Sequence, residues 1–468
     1  MGSLSALIKL FSRLLVKRSY TWQKNSLLRE LGLWGVTKDA LGHMKVQGLS
    51  TAKLAAEFGT PLLVVNQEKL NQDIQAMQKA MGTVPGAKIL YSYKTNCIPG
   101  ILQAIHAQEI GAEVISPYEL WLAQRLKVPG EMIIYNGVNK TDESLVSAIN
   151  YGILAINIDH LDEIERIVTI AKDLGVRAKV GVRLGLVDRS QFGLALDTGE
   201  AREACKRIYD AREYLDFTCV HFNVTSNAKT ANTHKEYALK ALDFVKDIQE
   251  MGLSTAYLDV GGGIGVPTSK NMTAIEYAQY RTFGVLPKPP NPSDFQPISS
   301  YLADISNTVV EYCRRNNMEV PRLIFEPGRH LTSRAEFLLC RVLTIKQKGN
   351  GTDFVITDAG RLSTTFPCDF EYHEVFVATK IDQKIRTKPY QVMGRICTSA
   401  DWLVKNKYLP EIEEGDLIAI MDAGAYFSSY SSNFSFPRPA IVKISNGQTL
   451  LIRHEETYEH LIGMDSFE

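Results

Sequence analysis

No apolar run in this 468-residue chain reaches the roughly 18 residues that a membrane-spanning helix requires, which argues against an integral helical membrane protein. Excess charge of either sign is missing too. The 52 Lys and Arg balance the 52 Asp and Glu, leaving no global field to gather nucleic acid or an anionic membrane and pointing to a small partner. The seven cysteines (Cys97, Cys205, Cys219, Cys313, Cys340, Cys368 and Cys397) include no Cys-x-x-Cys pair and are odd in number. That argues against both a disulfide framework and a zinc knuckle, so no metal site is expected and a reducing, cytoplasmic setting fits best. Acids are absent from Met1 to Arg29, where Lys9, Arg13, Lys17, Arg18, Lys24 and Arg29 accompany Leu4, Leu7, Ile8, Phe11, Leu14 and Leu15 at helical spacing. This basic amphipathic helix has three open readings: an organelle-targeting peptide, a membrane-surface anchor, or an extension packed on its own protein or a partner subunit.

What is present is a regular alternation. Strand-like runs at 88–94, 112–116, 131–136, 153–158, 177–184, 216–224, 256–261 and 322–327 alternate with helical stretches such as Leu161 to Leu174 and His234 to Met251. About eight βα units in succession imply parallel strands, and their number and span favour a closed (β/α)8 barrel. The Pro-rich stretch from Pro287 to Pro297 is a long loop that covers the barrel mouth or faces a neighbour. Beyond Arg329 the pattern changes to shorter β-prone runs, read as a β domain that the strands before residue 66 complete. The expected division is a basic extension (1–30), the first part of the β domain (31–66), the barrel (67–330) and the C-terminal β domain (331–468).

In such a barrel chemistry sits at the C-terminal ends of the strands. Lys94 closes the first, in Tyr91-Ser92-Tyr93-Lys94-Thr95-Asn96. The seventh ends in Gly261-Gly262-Gly263, where missing side chains let backbone N–H groups approach a ligand, most plausibly a phosphate. A tight turn alone is the blander explanation, and the loop has neither the Lys-Ser/Thr of a P-loop nor the spacing of a dinucleotide fingerprint. The eighth ends in Glu326-Pro327-Gly328-Arg329. An imine-forming amine, a phosphate cradle, a carboxylate for a pyridinium nitrogen and an arginine for phosphate make a pyridoxal 5'-phosphate site.

From about Leu31 onward these motifs resemble, in order, the alanine-racemase-fold (fold type III) decarboxylases, the family of diaminopimelate and ornithine decarboxylases. The resemblance implies that Lys94 holds the cofactor aldehyde as a Schiff base, that Glu113 lies beside that lysine, and that Glu119 in Ser116-Pro117-Tyr118-Glu119-Leu120 is a further acid of the site. It implies that Gly261, Gly262, Gly263, Gly328 and Arg329 belong to the cofactor site and that Glu326 keeps the pyridine nitrogen protonated. The loop Gly394-Arg395-Ile396-Cys397-Thr398-Ser399-Ala400-Asp401 is similar to the family's G-x-x-C-x-x-x-D. There the cysteine protonates the carbon that has lost carbon dioxide, in the other subunit's site, so catalytic Cys397, substrate-side Thr398 and Asp401, and a homodimer are implied. Asp422-Ala423-Gly424-Ala425-Tyr426 makes Tyr426 a phosphate or substrate contact.

The match fails in two places. The family's H-V-G-S, whose histidine stacks on the cofactor ring, is here Asn223-Val224-Thr225-Ser226. Ser226 still suits phosphate, Asn223 replaces the imidazole, and His221, two residues earlier, is set aside as a substitute. Thr398 stands where diaminopimelate decarboxylases have Glu and ornithine decarboxylases Asp, and Thr364 to Phe370 replaces the R-P-x-L-Y segment that grips a distal carboxylate. The expected substrate is therefore an amino acid or amino-acid conjugate with an uncharged, bulky or conjugated far end, as in siderophore or other specialised biosynthesis. A racemase on the same barrel and a non-catalytic homologue acting as a binding partner are the competing readings.

Overall fold

The computed structural model describes residues 18–82, 84–187, 190–348, 352–364 and 367–466, so residues 1–17 of the expected basic extension lie outside it, as do Thr365 and Phe366. The described residues form two compact units, one of residues 73–265 and 296–330, the other of residues 18–72, 266–295 and 331–466.

The first unit is the barrel. Its strands are Lys88–Ser92, Gly111–Val114, Ile133–Tyr135, Ala155–Ile158, Ala178–Gly185, Leu215–His221, Tyr257–Asp259 and Arg322–Phe325. All neighbouring pairs are parallel, and Ile324 and Phe325 pair with Lys88 and Ile89 to close the ring. Several strands are buried along their whole length, as expected where helices cover one face and side chains fill the other. Leu90, Ile134, Ala155, Cys219, Tyr257 and Ile324 meet in one buried cluster, each large aliphatic group contributing about 1.5–3 kcal/mol by leaving water. The helix Asp162–Leu174 shows why the sequence supplies the outer layer. Ile164, Ile167, Ile170 and Ala171 make one buried stripe, acids fill the first turn, and left-handed Gly175 ends it.

The second unit is built on a mixed sheet. Its strand order is Trp402–Lys407, Tyr390–Met393, Asp353–Thr357, Glu336–Gln347, Leu62–Asn66, Ala440–Ser445 and Gln448–Arg453, with Leu417–Ile420 also on Glu336–Gln347 and Val375–Val377 beyond it. The fully buried Leu62–Asn66 lies antiparallel to the start of Glu336–Gln347 and parallel to Ala440–Ser445, so the barrel is inserted into the sequence of this β unit. Two features depart from the sequence reading. Residues 266–295, including most of the Pro-rich stretch, group with the β unit, where Lys270–Asn271 pairs with Glu371–Tyr372. Trp402–Lys407 is a strand unmarked in the sequence, its charged second half masking the alternation.

Residues 18–24 are helical and pack within the β unit: Tyr20 meets the Tyr408 ring edge-on at 4.9 Å, and Gln23 Oε1 accepts the Tyr408 N–H at 3.1 Å. No helix among the described residues is long and apolar enough to cross a membrane.

Candidate active site

Each barrel strand carries a polar side chain at or beside its C-terminal end: Ser92, Glu113, Asn136, Asn157, Arg183, His221, Asp259 and Glu326. Such groups are costly to bury unless they satisfy one another. Most of them do. Lys94, in the one-turn helix after the first strand, places Nζ 3.4 Å from Glu113 Oε2, which also accepts from Ser92 Oγ at 2.5 Å. Asn136 Nδ2 bridges two carboxylates, donating to Glu113 Oε1 at 3.2 Å and Glu326 Oε1 at 2.5 Å, while its own oxygen accepts from Asn157 Nδ2 at 2.7 Å. His221 Nε2 lies 3.6 Å from Glu326 Oε2. Arg183 donates to the Asn136 carbonyl at 3.4 Å and lies 3.7 Å from Asp159. The Lys94 side chain is 35% exposed, whereas Glu113 and Glu326 are buried, so an accessible amine stands over fixed negative charge.

Burial works to raise the Glu326 carboxyl, but attraction to His221 and Lys94 and hydrogen bonding outweigh it and hold the group low. Burial and the neighbouring Glu326 charge push the Asp259 carboxyl the other way. Glu119, behind Glu113, is pushed up to about 7 by burial and by Glu113, against the Ile115 N–H that it accepts at 2.8 Å. Because the folded state holds this proton more tightly than the unfolded chain, stability is lost as pH rises from the ordinary value of 4.5 to about 7, and the loss is complete above that. Glu119→Gln, whose amide oxygen can keep the Ile115 bond, should gain about 2–3 kcal/mol on the parent at pH 8 beyond any difference at pH 4. Urea melts at the two pH values check this, and an equal difference at both contradicts it.

The triple glycine has a packing cause. A Cβ on Gly261 would stand 2.5 Å from the Phe222 carbonyl oxygen, one on Gly262 the same distance from that of Glu326, and one on Gly263 closer still to that of Thr225. Three loops interlock there, and Gly261 and Gly263 also have φ of +70° and +83°. The turn is anchored from His234, whose Nε2 donates to the Gly262 carbonyl at 2.9 Å and whose Nδ1 accepts from Tyr301 at 2.8 Å. Burial pushes His234 down to about 4, which keeps the ring neutral in that tautomer. Gly263→Ala should cost about 2–4 kcal/mol in urea unfolding, from backbone strain and clash together. Gly175→Ala, with φ of +64° but open space, should cost about 1 kcal/mol; equal losses would refute the interlock. The E-P-G-R glycine has a similar cause, since a Cβ on Gly328 would collide with Thr95 Oγ1, next to Lys94. Ser92 N–H to the Pro327 carbonyl at 3.2 Å ties the same two turns.

The remaining sequence-derived residues fall at several places. Asn223 follows the sixth strand and its Oδ1 is buried with no hydrogen bond, Ser226 is exposed and Arg329 buried. In the β unit, Cys397 is exposed and Thr398 half-buried. Asp401, expected on the substrate side, is buried and accepts the backbone N–H groups of Arg361 at 2.7 Å and Ile396 at 2.6 Å, so its carboxylate shapes the Cys397 loop. Tyr426 has φ of +70°, strained for a non-glycine residue, and its ring meets Tyr430 at 6.2 Å. Asn136, Asn157, Arg183 and Asp259 were missed by the sequence reading, and His221, set aside there, stands beside Glu326. The signal that would have found Asn157 and Asp259 is the first polar side chain interrupting an aliphatic strand, and Asn136 directly follows such a strand, whereas Arg183 and His221 come after the polar residues Lys179 and Asp216 of their own strands.

The family model for the pyridoxal binding domain of pyridoxal-dependent decarboxylases matches residues 67–333. The diaminopimelate decarboxylase of Methanocaldococcus jannaschii is 30% identical over 444 residues, spanning 91% of this chain and 95% of that protein. That of Aquifex aeolicus is 29% identical over 439 residues, spanning 90% and 95%. The crystal structure of the M. jannaschii enzyme in complex with L-lysine superposes with a TM-score of 0.80 at 29% identity, covering 92% of this chain and 98% of that one. With the closed parallel barrel and β-rich second domain, these matches show that the chain belongs to the pyridoxal-dependent decarboxylases of the alanine-racemase fold, a family of carboxy-lyases related to diaminopimelate and ornithine decarboxylases.

Proposed function

We propose that the protein decarboxylates an amino acid or amino-acid conjugate with pyridoxal 5'-phosphate bound at the barrel mouth. The observation that carries this is the linked set Lys94, Glu113, Asn136 and Glu326: an accessible amine and a buried, hydrogen-bonded carboxylate held in one network. The residues fit the cofactor. Asn223 Oδ1 is buried without a hydrogen bond, as befits a polar atom at a heteroaromatic ligand, and the donor set joins an amine with a low-lying carboxylate. The chemistry that the bound group supplies is an electron sink for the pair left on the α-carbon as carbon dioxide departs.

In this reading Lys94 would hold the cofactor through its amine, and Glu113 beside it orients that amine. Glu326 holds the proton of the pyridine nitrogen, with Asn136 and His221 fixing the carboxylate. Ser226, the Gly261 to Gly263 backbone, Gly328, Arg329 and Tyr426 hold the phosphate end. Cys397 Sγ delivers a proton to the α-carbon, which calls for a homodimer in which each chain serves the other's site. Asp401 holds the Cys397 loop in shape. Asn223 in place of a stacking imidazole gives a weaker grip on the ring.

For the substrate, two features favour a far end without charge. Thr398 is neutral where relatives place a carboxylate, and the nearby guanidinium of Arg361 is already gripped by both oxygens of Asp369. Specialised biosynthesis, including that of siderophores, suits such a substrate. Purified enzyme offered diaminopimelate, ornithine, lysine, arginine and amino acids with neutral or acylated side chains should release carbon dioxide fastest from the last group, by at least about tenfold. Rapid turnover of diaminopimelate would sink the substrate reading while leaving the decarboxylase reading intact.

A further inference from the structure

We propose that Asp259 is a buried, protonated acid that donates its hydrogen to Glu326, a positioning residue that sets how tightly Glu326 holds a positive charge. Asp259 ends the seventh barrel strand and is fully buried. Its Oδ1 accepts the Gly261 N–H at 2.9 Å, while Oδ2 is buried and accepts nothing. One oxygen each from Asp259 and Glu326 and one nitrogen of His221 lie within 4.8 Å of one another. Two carboxylates so close and so far from water do not both ionise, and one retains a proton.

The hydrogen bonds say which one. Glu326 accepts from Asn136 at 2.5 Å and faces His221 at 3.6 Å, so its charged form is supported on both oxygens. Asp259 receives a single backbone amide, and an Oδ2 that accepts nothing is what a hydroxyl donating to Glu326 requires. The remaining titratable neighbours agree. Glu113 adds negative charge that disfavours ionised Asp259, Lys94 supports ionised Glu326, and the Cys219 thiol is kept neutral first by its burial. Gly261 opens the glycine turn, so the same acid links Glu326 to that turn.

The consequence for the cofactor rests on the reading of the barrel mouth as a pyridoxal phosphate site, whereas the protonation does not. An asparagine has the same shape, with an oxygen for Gly261 and an N–H for Glu326, so it should replace a protonated Asp259 where alanine cannot. The test uses the holoenzyme and two variants, Asp259→Asn and Asp259→Ala. The infrared difference spectrum of the parent against Asp259→Asn, taken at pH 8.5 where Glu119 is ionised, should contain a protonated-carboxyl C=O band that the variant lacks. In Asp259→Ala, Glu326 loses a donor and its charge is less dispersed, so the pH midpoint of the bound cofactor's visible absorption should rise by about one unit, and Asp259→Asn should restore it. The proposal is overturned if Asp259→Asn removes no such band, or if it shifts the midpoint as alanine does. Should the alanine variant fail to fold, the infrared comparison decides alone. Should the parent bind no cofactor, the reading of the site fails while the infrared band still tests the proton.

Discussion

Lys94→Ala should lower kcat/KM by at least about a thousandfold, equivalent to about 4 kcal/mol of lost transition-state stabilisation, with a change in unfolding free energy below about 1 kcal/mol. The two expectations have different causes. On the proposed reading the activity depends on a primary amine that would hold the cofactor, which neither alanine nor water replaces. The stability barely depends on this side chain, because it is one-third exposed and its Nζ lies a long 3.4 Å from Glu113, a buried carboxylate that Ser92 and Asn136 also hydrogen-bond. Lys94→Arg keeps the charge but not the primary amine that would hold the cofactor, so it should be as inactive as alanine. An active arginine variant would show that Lys94 acts only as a charge. Parallel steady-state assays and urea melts on the three proteins separate these outcomes.

Glu326→Gln should lower kcat by about 10²–10³-fold while KM changes little, because the lost charge matters most where positive charge must be held during the reaction. The amide keeps an oxygen for the Asn136 N–H, so that contact survives. Folding should survive as well, within about 1–2 kcal/mol, since removing a buried carboxylate also removes its desolvation cost. Glu326→Ala is the harsher change, leaving Asn136 and His221 facing a cavity, and should add a loss of stability to the loss of activity. A Glu326→Gln enzyme with parental kcat would remove Glu326 from the reacting centre.

The parts of this structure that could be read from the sequence are those written in runs. The aliphatic stretches such as Ile89-Leu90-Tyr91 and Leu323-Ile324-Phe325 announce buried parallel strands, and the structure has all eight with ends shifted by a few residues. The strand Leu62–Asn66 was legible for the same reason, but its place between Glu336–Gln347 and Ala440–Ser445 depends on pairing partners hundreds of residues away. Candidate site residues with a motif around them, such as Lys94, Glu326 and Cys397, could be named. Asn136, Arg183 and Asp259 could not, because each is one polar residue at or near the end of a strand with no motif around it, and only closure of the barrel brings it to the others. The triple glycine was legible as a special turn but not in its cause: the carbonyl groups of Phe222, Thr225 and Glu326 that exclude side chains there come from two other strand ends.

The proposed chemistry stands or falls on whether this barrel binds pyridoxal phosphate through Lys94. Holoenzyme reduced with borohydride, digested and mapped by peptide mass should carry one pyridoxyl-phosphate adduct per chain, on the peptide that contains Lys94. An adduct on another lysine, or none from protein purified with the cofactor supplied, would refute the assignment.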